Sequence, residues 1–200
     1  MKSDHAILRF TRRATMALAM LGLTAIPAFA QAPDRLGVPG PIDFEGDAYR
    51  LAWSAEPSPN YIKQEYLPAG QTVDRYEQMI LVETVAGVAV TDAVRAQVEM
   101  LNKRKPSDPL VNMDLIENKA TGEALLDFIV SAKDANGEYI VEWNAYRYAR
   151  HGDSGIMLFG ISRRAYGNEA AKALLTELRG LRPGRIRSLT QIVLPRPTPR

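Results

Sequence analysis

Residues 123–164 read EALLDFIVSAKDANGEYIVEWNAYRYARHGDSGIMLFGISRR, and how this stretch divides decides the fold. Three apolar segments, Glu123 to Ala132, Glu138 to Arg150 and Gly155 to Arg163, are separated by two clusters of turn residues. Asp134-Ala135-Asn136-Gly137 places Asn and Gly where a tight turn demands positive backbone φ, and His151-Gly152-Asp153-Ser154-Gly155 does so with two glycines. Along the second segment Tyr139, Val141, Trp143 and Ala145 fall on one face and Ile140, Tyr146 and Tyr148 on the other, which is the period of a strand. Connections this short cannot carry parallel crossovers, so the stretch predicts an antiparallel meander.

Upstream, Leu110 to Glu117 alternates Val111, Met113 and Leu115 against Asn112 and Asp114, and extends the meander to residues 110–163. Further strands are predicted at 48–54, 61–67 and 76–85, closed by Pro57, Pro68-Ala69-Gly70 and Gly87. A helix is predicted over 91–104, with Thr91 as N-cap, Asp92 at the positive end and Val94, Val98 and Leu101 as its apolar stripe. Lys103-Arg104-Lys105 complements its negative end, and Pro106 stops it. A second helix is predicted over 168–179, capped by Asn168, with Ala171, Leu174, Leu175 and Leu178 buried and Gly180 as the stop. Pro183-Gly184 interrupts, and Ile186 to Leu194 reads as a loosely alternating edge strand. Strands outnumber helices and no repeat or second-domain boundary shows, so the prediction is one α+β domain over 48–194, a mainly antiparallel sheet packed by two helices.

The ends read differently. Arg9, Arg12 and Arg13, the apolar stretch Ala14 to Ile26 and Ala28-Phe29-Ala30 follow the plan of a cleavable signal peptide, cut after Ala30. Thr11-Arg12-Arg13 also matches part of a twin-arginine signal, but Thr15 and Met16 stand where that pattern prefers Phe and Leu, which favours the general secretory route. The stretch is too short for a membrane span, so the mature chain is expected to be periplasmic or secreted. Residues 31–47 form a flexible or wrapped Pro/Gly-rich segment, and 195–200 a disordered tail.

Without residues 1–30 the balance is 21 basic against 22 acidic side chains, polarised along the chain. Residues 31–140 hold 10 basic and 18 acidic groups, and 141–200 hold 11 and 4. Either the basic half meets an anionic partner or the fold neutralises it against the acidic half.

The chemistry tests are mostly negative. With no cysteine, thiol catalysis and thiolate metal sites are excluded, and His151 alone past residue 30 leaves too few ligands for zinc or copper. Gly152-Asp153-Ser154-Gly155 spells the surroundings of a trypsin-like nucleophile, but His151 sits in the same turn and no separate base exists. Asp134 to Glu138 begins like a calcium loop without the downstream bidentate acid. No phosphate-cradling glycine pattern is present, and no cofactor is expected. Asp127 with Glu142 is the one candidate carboxylate pair for a hydrolase.

The strongest surface candidate is aromatic and basic: Trp143, Tyr146, Arg147, Arg150, Arg163 and Arg164, with Arg147 and Arg163 brought to one face by adjacent strands. Bidentate arginine contacts and stacking suit an envelope protein or an anionic ligand; nucleic acid is not expected outside the cytoplasm. An alternative is a carrier of a small ligand or lipid, with a pocket lined by Trp143, Tyr146 and Phe159.

Glu65-Tyr66-Leu67-Pro68-Ala69-Gly70-Gln71-Thr72, continuing through Tyr76 to Met79, resembles a segment of small uncharacterised exported proteins of proteobacteria. The resemblance spans less than a tenth of the chain and implies export, without an activity or a catalytic residue. The expectation is an exported, non-enzymatic α+β binding domain.

Overall fold

The computed structural model of this chain describes residues 32–198; the predicted signal peptide lies outside the described residues. The elements are β1 (Ile42–Phe44), β2 (Asp47–Ser58), β3 (Tyr61–Leu67), β4 (Gln78–Ala86), α1 (Val90–Arg104), β5 (Asn112–Asn118), β6 (Glu123–Lys133), β7 (Tyr139–His151), β8 (Gly155–Tyr166) and α2 (Asn168–Gln191). All eight strands join one antiparallel sheet in the order β1-β2-β3-β4-β8-β7-β6-β5, so the fold is α+β. Each half is a hairpin meander, the two halves meet where β4 pairs with β8, and α1 carries the chain from β4 to the far edge at β5.

Both predicted turns of the second meander close hairpins. In Asp134-Ala135-Asn136-Gly137 the Asp134 carboxylate accepts from the amides of Asn136 and Glu138, while Gly137 adopts φ 81°. His151 faces Gly155 across the other turn, leaving Gly152, Asp153 and Ser154 as the connection.

Alternation sorts the strand residues between two cores. On one face Val141, Trp143, Ala145, Phe159 and Ile161 pack with Ala171, Leu174, Leu178 and Leu189 of α2. On the other, Leu126, Phe128, Tyr148 and Leu158 pack with Val90, Val94 and Leu101 of α1. Every central strand is covered twice, so β6, β7 and β8 have few solvent-facing positions, whereas the edge strand β5 is exposed along most of its length.

Three differences from the sequence reading have physical reasons. Residues 168–191 form one helix, so the predicted break at Gly180 and Pro183 and the predicted strand over 186–194 are corrected. Local propensity opposes this continuation; tertiary contacts outweigh it. Leu189 is fully buried, Arg182 pairs with Asp127 and Asp114, and Arg185 pairs with Glu45 at 3.2 Å.

The N-terminal segment, read as flexible or wrapped, lies against the sheet. Leu36 is fully buried, the amides of Arg35 and Leu36 both donate to Gln64 Oε1, and the Tyr66 hydroxyl donates to the Val38 carbonyl at 2.6 Å. At the other end the Thr198 amide donates to the Leu36 carbonyl at 2.7 Å, which ties the residues after α2 to this segment. β2 runs through Pro57 because its pairing with β3 is irregular between Ala55 and Ser58, where a missing amide costs least. Ala89 and Gly167, not Thr91 and Asn168, occupy the N-cap positions, and the Asn168 side chain instead accepts from the Tyr139 amide.

Charge neutralisation crosses the two halves of the sequence. Arg147 pairs with Glu123, Arg182 with Asp114 and Asp127, and Arg185 with Glu45. No helix of the described residues is long and apolar enough to cross a membrane.

Candidate functional site

The six residues of the predicted binding surface divide between the two sides of the sheet. Arg163 is opposite Trp143 and Arg147 is opposite Phe159 in the β7–β8 register, which puts Trp143, Arg147 and Arg163 on the α2 side. Tyr146, Arg150 and Arg164 have the other parity and face the α1 side.

Arg147 and Arg163 do share a face, but they stand four positions apart, roughly 13 Å along the strands. Arg147 is consumed by structure. Its guanidinium takes both Glu123 carboxylate oxygens and donates to the carbonyls of Leu189 and Ile192, so it closes the C-terminal end of α2. Trp143 is fully buried and donates its indole N–H to Asp127 at 3.0 Å. Tyr146 lies over Gly160 on the other face, where an added Cβ would stand 2.8 Å from its ring. The predicted carrier pocket is thus not formed: Trp143 and Phe159 fill the α2 core while Tyr146 packs edge-on against Phe128 in the α1 layer.

The carboxylate pair is likewise split. Asp127 pairs in register with Ala145, three positions from Glu142, so the two carboxylates point to opposite faces. Asp127 receives Trp143 and Arg182, whereas Glu142 receives the Tyr76 hydroxyl at 2.5 Å and the Arg164 guanidinium. Burial and the neighbouring Glu142 charge push the Tyr76 hydroxyl far above the ordinary phenol value, so it remains a donor. Arg164 also stacks on the Tyr76 ring, 4.1 Å from its centroid.

Two of the six, Arg163 and Arg164, border the most suggestive recess of the molecule. It is a notch of about 260 Å³ where the end of β8 turns into α2, lined by Arg75, Glu77, Arg163, Arg164, Ala165, Tyr166 and by Ala170, Ala173, Leu174 and Glu177. The local fold builds it directly. The Arg164 amide donates to the Glu77 carbonyl at 3.0 Å, which lays the segment before β4 alongside the end of β8. Gly167, at φ 88°, then turns the chain so that the first turns of α2 form the opposite wall.

The charges around the notch are unevenly satisfied. Arg164 is committed to Glu142, and Arg75 stacks on Tyr166, 4.4 Å from the ring centroid. Among the described residues neither Arg75 nor Arg163 has an ion-pair partner, and Arg163 Nε is buried without any hydrogen-bond acceptor. A guanidinium that lines a recess without a carboxylate partner leaves a charge that an incoming oxyanion can meet. Arg150 stands apart, exposed beside the Asp153-Ser154-Gly155 turn and Asp92 of α1.

Sequence reasoning found Arg163 and Arg164 but missed Arg75, Glu77, Tyr166 and Glu177. The β4–β8 register, Gln78 opposite Arg163, brings residues 75–77 to the same corner, and no local pattern announces that pairing of distant strands. No group of three or more potential metal ligands gathers among the described residues.

A protein-family model matches residues 36–194, from the wrapped N-terminal segment past the end of α2, and the family is one of uncharacterised proteins. No curated protein matches the sequence.

Proposed function

We propose, for a chain that belongs to this family of uncharacterised proteins, the work of an exported binding protein that holds an anionic group of an envelope component in the notch at the end of β8. The observation that carries the reading is that two guanidiniums, Arg75 and Arg163, line one notch without an ion-pair partner among the described residues. The export pattern of residues 9–30 and the resemblance of residues 65–79 to exported proteobacterial proteins support its place outside the cytoplasm.

Calorimetric titration with inorganic phosphate and with N-acetylated amino acids tests the reading. Saturable binding that weakens at least tenfold in Arg163→Gln is expected, since removing one charge-assisted hydrogen bond costs about 1.5–3 kcal/mol. Equal affinity in wild type and Arg163→Gln would defeat it.

A further inference from the structure

The notch holds both signs of charge. Glu77 and Glu177 line it together with Arg75 and Arg163, yet none of these four side chains is ion-paired among the described residues. A plain anion entering the recess meets two carboxylates as well as two guanidiniums. We infer that the ligand is zwitterionic: its oxyanion sits on Arg163 and Arg75, and its ammonium faces Glu77 and Glu177. This rests on the reading of the notch as an anion site and adds the second charge.

Size and lining narrow the class further. A volume of about 260 Å³ lies below the range of drug-sized pockets, so the ligand is small or only its charged end enters. Ala170, Ala173 and Leu174 supply a short apolar wall on α2, and Tyr166, its ring stacked by Arg75 and its hydroxyl oxygen accepting from the Tyr76 amide, closes the opposite side. An α-amino acid and an ethanolamine phosphate headgroup share this chemistry, an oxyanion and an ammonium a few bonds apart beside little apolar surface.

Four probes separate the contributions: leucine, N-acetylleucine without the ammonium, leucinamide without the carboxylate, and O-phosphoethanolamine. Leucine or O-phosphoethanolamine is expected to bind at least tenfold more tightly than N-acetylleucine and leucinamide, and the stronger of the two identifies the source. Glu77→Gln/Glu177→Gln, both at exposed positions, is expected to lower zwitterion affinity to the N-acetylleucine level while leaving N-acetylleucine binding unchanged or tighter, with the unfolding midpoint as control. N-acetylleucine binding as tightly as the zwitterions would overturn the inference and leave the anion site standing. Absence of binding by all four probes would overturn both.

Discussion

The Asp108 and Glu83 carboxylates respond to pH in opposite directions, and the difference lies in what each one touches. Burial alone would push the Asp108 carboxyl up, but donation from the Ser131 hydroxyl and amide, Arg104 and the Leu110 amide outweighs it and holds the carboxyl below its ordinary 3.8. Its stabilisation is therefore complete above pH 3.8 and is lost as pH falls through the lowered value in the folded state. Asp108→Asn is expected to cost about 2–4 kcal/mol in urea unfolding at neutral pH, with the gap to wild type closing in stronger acid. Glu83 behaves conversely. Burial raises its carboxyl above 4.5 despite Lys63 at 3.7 Å and the Tyr61 hydroxyl, so the folded state binds the proton more tightly than the unfolded chain does. Stability then declines as pH rises from 4.5 through the raised value. Glu83→Gln, which keeps an acceptor for Tyr61, is expected to remove that decline and to exceed wild-type stability at neutral pH, read from denaturation midpoints across the pH range.

At the scale of elements, α2 shows where local signals lose to packing. Gly180, Pro183 and Gly184 each read as a stop, yet the helix passes through all three because Arg182, Arg185 and Leu189 find partners only if it continues. These residues are a local conflict carried by tertiary contacts. Gly180 and Gly184 have open space around them, so Gly180→Ala is expected to stabilise the fold by about 0.5–1 kcal/mol. Pro183→Ala is expected to add about 1–3 kcal/mol, seen as a rise in Tm. The hairpins are the opposite case. Gly137 and Gly152 announce their turns because the positive φ each adopts is itself residue-specific, and β3 occupies 61–67 as its alternation predicts. The candidate site was legible only in part: Arg163 and Arg164 are neighbours in sequence, whereas Arg75, Glu77 and Glu177 arrive through the β4–β8 pairing and the turn at Gly167. Alternation alone does not place Asp127 against Glu142, since the face each one takes depends on the hairpin register as well.

For the whole molecule, covering the central strands on both faces leaves the ends of those strands as places for recognition. Part of the basic second half is spent on internal neutralisation: Arg147, Arg182 and Arg185 pair with acids from the first half, and Arg147 also closes α2. What remains uncommitted at the notch is Arg163, with Arg75 beside it. The most direct measurement follows the arginine Nε–Hε resonances during titration with leucine and with O-phosphoethanolamine. The Arg163 resonance is expected to shift saturably with one or both probes, while Arg147, locked by Glu123 and the carbonyls at the end of α2, stays still. An Arg163 resonance that does not move at any probe concentration, with the fold intact, would contradict the notch as the binding site.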